Sequence, residues 1–139
     1  MDSLYDRIGG QAAVRAVIQS LYDLLFDDVL VGFLFDGKDK ARLVDLQTSF
    51  TCAFLGGPER YAGKSLPEAH AALPLLAGHF DRRHHLLEQV LIRHTVPKAV
   101  RDEWLRIDEA LRPSVLAAGA AARDRTVSTS DGSDPEEAQ

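Results

Sequence analysis

At 139 residues, 45% apolar and 27% charged, the chain has the size and balance of one ordinary globular domain, with room in its core for a small cofactor. A net charge of −5 without a concentrated basic face argues against nucleic acid as the main partner. No apolar run approaches the roughly 18 residues of a membrane span, and the opening Met1-Asp2-Ser3-Leu4 lacks the layout of a signal peptide; a cytoplasmic protein with no membrane partner is expected.

Ser3-Leu4-Tyr5-Asp6 has the spacing of a capping box, so a short helix opens there, and Gly9-Gly10 closes it. From Gln11, Val14, Val17, Ile18, Leu21, Tyr22 and Leu25 recur at three and four, which predicts an amphipathic helix. Tyr22 falls on its inward face, either as core filler with a bonded hydroxyl or as a polar group aimed into a cavity. Asp27-Asp28 ends that helix as solvated charge. The apolar run of residues 29–35 reads as a packed helical corner, because no partner strand exists for it.

Residues 38–55 form the next predicted helix, with Leu43, Phe50 and Phe54 on one face and Gln47 in register among them. Burying an amide without partners costs about 1–3 kcal/mol, so Gln47 either reaches water at an edge or donates into a cavity. Cys52 is the only cysteine. It permits neither an internal disulfide nor a thiolate cluster, so a metal here must rest on histidine, carboxylate or a prosthetic group.

Gly56-Gly57-Pro58 stops the helix, and Ser65-Leu66-Pro67-Glu68 starts a new one with Ser65 as N-cap and Glu68 closing a capping box. His70 lies on the first turn and Pro74 ends the helix soon after. Two turns are too short to stand alone, so this piece is held by tertiary contacts or by something bound. His70 is correspondingly a packed or surface histidine, or a ligand.

The helix predicted over residues 78–94 buries Phe80, Leu87, Val90 and Leu91, with His84 in register. His79, His85 and His94 project elsewhere and are read as solvated. Pro97 suits the first turn of a last helix, where Val100, Trp104, Ile107 and Leu111 repeat at four, three and four. The folded domain is placed at residues 1–118, and the polar, acidic residues 119–139 are expected to be disordered. No phosphate loop or nucleophile elbow is present.

Taken together, Leu4-Tyr5-Asp6-Arg7-Ile8-Gly9-Gly10, Leu21-Tyr22, Phe35, Leu43 with Gln47, Gly56-Gly57-Pro58 with Tyr61 and Gly63, Glu68-Ala69-His70, and His79-Phe80 resemble the truncated haemoglobins, most closely group I. The resemblance spans roughly residues 3–115. It implies an all-α fold, a two-over-two helical sandwich around haem b (iron protoporphyrin IX). It also implies that His70 is the proximal iron ligand, that Phe35 wedges the porphyrin, and that Tyr22 and Gln47 form the polar distal pair. Leu43, Leu46, Phe50, Tyr61, Leu66, Phe80 and His84 are the further expected contacts of the cofactor.

The implied function is binding of O2, CO and NO, with oxidation of NO to nitrate as a possible turnover fed by an external reductase. A monomer or weak dimer is expected. A gas- or redox-sensing module acting through a partner and a peroxidase-like enzyme are the competing readings. The chain departs from the family pattern at Leu46, where a lysine is common, at Thr51, where a phenylalanine is common, and at Arg83 and His84, where small apolar residues are usual. His84 is thus a proton donor to the pocket, a propionate partner or a packed histidine.

Overall fold

The computed structural model describes residues 3–58 and 75–116. The expected helix carrying His70, with Tyr61 and Leu66, and the expected acidic tail lie outside those residues. In chain order the elements are α1 (Leu4–Ile8), α2 (Gln11–Asp27), a 3-10 turn (Gly32–Phe35), α3 (Lys40–Phe54), α4 (Ala77–Arg93) and α5 (Lys98–Ala110), followed by a helical turn over residues 112–116. No strand occurs among the described residues, and no helix among them is long and apolar enough to cross a membrane.

The capping box at the N-terminus forms as its spacing predicts: Ser3 Oγ accepts from the Asp6 backbone N–H and Asp6 Oδ2 accepts from that of Ser3. Gly9 ends α1 at φ 116°, a left-handed conformation that glycine adopts without a Cβ penalty. The Tyr5 N–H donates to the Leu55 carbonyl at 3.0 Å, tying α1 to the end of α3.

α2 is the central element, packed against both α3 and α4, while α4 also packs against α5. Its predicted stripe is the observed one, with Val14, Val17, Ile18, Leu21, Tyr22 and Leu25 all buried. Leu87, Val90 and Leu91 of α4 and Val100 and Trp104 of α5 complete the core. Each such aliphatic side chain contributes about 1.5–3 kcal/mol by leaving water. The corner after α2 is helical as expected, a single 3-10 turn.

Four expectations are corrected. The fully buried face of α3 is Val44, Thr48, Thr51 and Cys52, one residue round from Leu43, Gln47, Phe50 and Phe54. On α5, Asp108 is buried at the position after the expected Ile107. Asp28 is no solvated charge: Arg82 donates to its Oδ1 from Nη2 at 2.7 Å and from Nε at 3.0 Å, while the Leu30 and Val31 N–H groups donate to its Oδ2. The carboxylate therefore joins the end of α2 to α4 and shapes the corner, and the Arg82 bond, with those backbone donors, holds it below the usual carboxylate range against the opposing effect of burial. His94 is bonded as well, its Nε2 lying 2.8 Å from Ser20 Oγ, and His79 Nδ1 accepts from the Leu76 N–H to start α4. His85 is exposed as expected.

Candidate functional site

Between these helices lies a cavity of about 780 Å³, partly continuous with solvent. One wall is Tyr22 and Leu25 of α2 with Leu34 and Phe35 of the 3-10 turn; Gln47 and Phe50 of α3 form another. α4 supplies His79, Phe80 and Arg83, and Asp108 and Leu111 close the α5 side.

Aromatic packing sets the first wall. The Tyr22 ring, 8% exposed, meets Phe35 edge-on at 5.9 Å, and Phe26 stacks on Phe35 at 5.0 Å and lies 6.4 Å from Tyr22. Lys40 Nζ sits over the Phe26 ring at 5.3 Å, closing that stack from outside. Phe35 is therefore presented to the cavity by a short 3-10 turn braced from α2. On α3, Gln47 Nε2 donates to Thr51 Oγ1 at 3.2 Å. This contact satisfies one amide proton and fixes the side chain on the cavity side. Thr51 is fully buried, and its hydroxyl serves as the anchor of Gln47.

The lining also carries charge. Arg83 Nη1 donates to Asp108 Oδ1 at 2.8 Å, and His84 Nδ1 lies 2.7 Å from Asp108 Oδ2. Burial opposes ionisation of Asp108, but the Arg83 charge and the bonds from His84 and Arg83 outweigh it and hold the carboxyl below its ordinary range. An ionised carboxylate only accepts, so His84 Nδ1 carries the proton in this pair. The His84 bond to Asp108 raises the imidazole above its ordinary value of 6.5. Burial by itself would lower Arg83; the Asp108 charge, an electrostatic contribution from Tyr22 and the Asp108 bond leave it raised.

The residues expected from the sequence divide accordingly. Tyr22, Phe35, Gln47, Phe50 and Phe80 line one cavity. Leu43 and Leu46 are half-buried on α3 outside its lining, and His84 stacks on Phe80 at 6.2 Å, facing Asp108. His70, Tyr61 and Leu66 lie outside the described residues. Sequence reading missed Asp108 as a cavity residue. The available signal was its spacing four after Trp104, which puts a carboxylate on the buried side of α5. His79 was missed too; besides lining the cavity, its ring meets Phe33 at 5.5 Å.

A family model for bacterial-like globins matches residues 3–117. The chain is 38% identical over 98 residues to a group 1 truncated haemoglobin from Nostoc sp. (strain MUN 8820), covering 67% of this chain and 80% of the relative. It is 32% identical over 114 residues to one from Tetrahymena pyriformis, covering 82% and 94%. Among solved structures, the Fe(III) form of the Tetrahymena pyriformis protein superposes with a TM-score of 0.78 at 31% identity, over 83% of this chain and 98% of that one. The cyanomet 2/2 haemoglobin of Synechococcus sp. PCC 7002, which carries covalently attached haem, gives 0.79 at 30% identity, over 84% and 99%.

Proposed function

The chain belongs to the bacterial-like globins as a truncated haemoglobin, a haem-based gas-binding family, and we propose that its cavity holds haem b with His70 as the iron ligand. The donor set and the shape fit such a group. Phe35, Phe50 and Phe80 offer flat apolar faces from three different elements, and the polar groups Tyr22 and Gln47 converge from α2 and α3. That convergence is the observation on which the reading rests.

When bound, haem held by His70 would supply an iron that takes up O2, CO or NO. Gln47 has a second amide proton beyond the one given to Thr51. Together with the Tyr22 hydroxyl it supplies donors to a diatomic ligand that gains negative charge on binding. Hydrogen bonds to a charged acceptor are worth about 1.5–3 kcal/mol each. At 1.4 kcal/mol per tenfold, each slows release by roughly ten- to a hundredfold.

Retention of that order suits consumption of O2 better than its delivery. The turnover proposed is NO plus O2 plus one electron to nitrate, the electron coming from an external reductase. Leu43, Leu46, Tyr61, Leu66 and His84 are proposed to complete the surroundings of the cofactor.

The test is the visible absorption spectrum of the purified protein, ferric and dithionite-reduced with and without CO, beside His70→Ala. A haem band that shifts on CO and is lost or degraded in the variant is expected. No haem band, even after haemin is added back, would overturn the proposal.

A further inference from the structure

We propose that Arg83 sets the ligand preference of the cavity, favouring small monovalent anions of the nitrite or azide class over a ligand that stays near neutral when bound, such as CO. The inference rests on the haem reading above, because the anion and the gas ligand would occupy the same cavity.

Arg83 lines the cavity with Tyr22 and Gln47, and its side chain is 24% exposed. A guanidinium has five N–H donors in a planar fork. Among the described residues only Nη1 is engaged, by Asp108. The single negative charge of Asp108 is shared, one oxygen with Arg83 and the other with His84. Asp81 and Glu109 both pair with Arg112.

The cluster is therefore a cation with spare donors, held by a buried carboxylate in the lining of a largely apolar cavity. In such surroundings a charge-assisted bond is stronger than in water. A ligand that stays near neutral when bound, such as CO, gains little from a full positive charge, whereas an anion gains both a Coulombic attraction and a directed hydrogen bond. Arg83 thus shifts the preference of the site from CO toward anions. A purely structural Arg83, joining α4 to α5 through Asp108, would affect both ligand classes alike.

The experiment titrates ferric holoprotein with sodium azide and with sodium nitrite, following the haem band, and measures CO affinity on the reduced protein. Arg83→Gln is expected to weaken azide and nitrite binding by roughly tenfold or more, the loss of one charge-assisted bond. CO affinity should change by less than about threefold. Arg83→Lys keeps the charge without the fork, so it should fall between wild type and Gln for the anions. If the Gln variant does not fold, Lys carries the test, with weaker azide binding at unchanged CO affinity. Anion affinities unchanged in the variants, or losses equal for azide and CO, would overturn the proposal while the haem band leaves the haem reading standing. A protein with no haem band to titrate would overturn both.

Discussion

Replacing Asp108 by asparagine removes one charge from the cavity wall and leaves its shape. In the native cluster Oδ1 accepts from Arg83 at 2.8 Å and Oδ2 pairs with His84 at 2.7 Å, with Asp108 itself 5% exposed. An asparagine oxygen can still accept from Arg83, but its NH2 group faces the His84 N–H, so one bond becomes a donor–donor contact. Removing one partner of a buried ion pair costs about 3–5 kcal/mol. Arg83 and His84 each keep 24% of their side-chain surface exposed and can recover some hydration. The expected loss is therefore about 2–3 kcal/mol. With a urea m-value of roughly 1–2 kcal/mol/M, the midpoint should fall by about 1–3 M. Urea unfolding followed by far-ultraviolet circular dichroism, at fixed protein concentration and equal haem loading, measures it. A shift below about 0.3 M would refute the view that this carboxylate holds the α4–α5 contact. The double variant Asp108→Leu/Arg83→Met supplies a second check. Removing both charges leaves no orphaned ion, so its midpoint should lie above that of Asp108→Asn.

Three further outcomes are expected. Because the Asp108 bond raises the folded-state pKa of His84 above 6.5, its stabilisation is complete below that value and fades as pH rises through the folded one. The gap in urea midpoint between wild type and His84→Gln should therefore narrow between about pH 6 and pH 9, and a widening gap would refute the pairing. Tyr22→Phe, which keeps the ring against Phe35, should speed O2 dissociation at least about tenfold in stopped-flow measurements; an unchanged rate removes Tyr22 from contact with the ligand. Thr48 is fully buried with its Oγ1 unpartnered, so Thr48→Val should raise stability by about 0.5–1 kcal/mol, seen as a higher melting temperature, whereas a lower one would show that the hydroxyl is bonded.

How much could be read beforehand differs between helices for a physical reason. α2 has one inward face, and its residues repeat at the helical period, so the stripe from Val14 to Leu25 is visible in the sequence. α3 has two inward faces. Val44, Thr48, Thr51 and Cys52 pack against protein, while Gln47 and Phe50, one residue round, face the cavity. The more hydrophobic of the two sets was taken as the core, although two threonines are buried more deeply. A helix that divides its inner surface between core and cavity cannot be assigned by hydrophobicity alone. The polar residue in the stripe, Gln47, was the better guide.

The charged part of the cavity lining was legible only in part, because ion pairing depends on partners that are distant in sequence. Asp108 lies 25 residues from Arg83 and 24 from His84, and Asp28 lies 54 from Arg82. Arg82, Arg83, His84 and His85 are four consecutive basic residues, of which the helical period sets only His84 in register with the apolar stripe. Successive helical residues point about 100° apart, so such a run must send its members in different directions. Here Arg82 reaches the end of α2, Arg83 lines the cavity, His84 turns to Asp108 and His85 meets water. Arg83 alone faces the cavity, and only the buried carboxylate on α5 distinguishes it from its neighbours. Arg83 and His84 are thus both coupled to Asp108, and a substitution at Arg83 has to be judged together with that carboxylate.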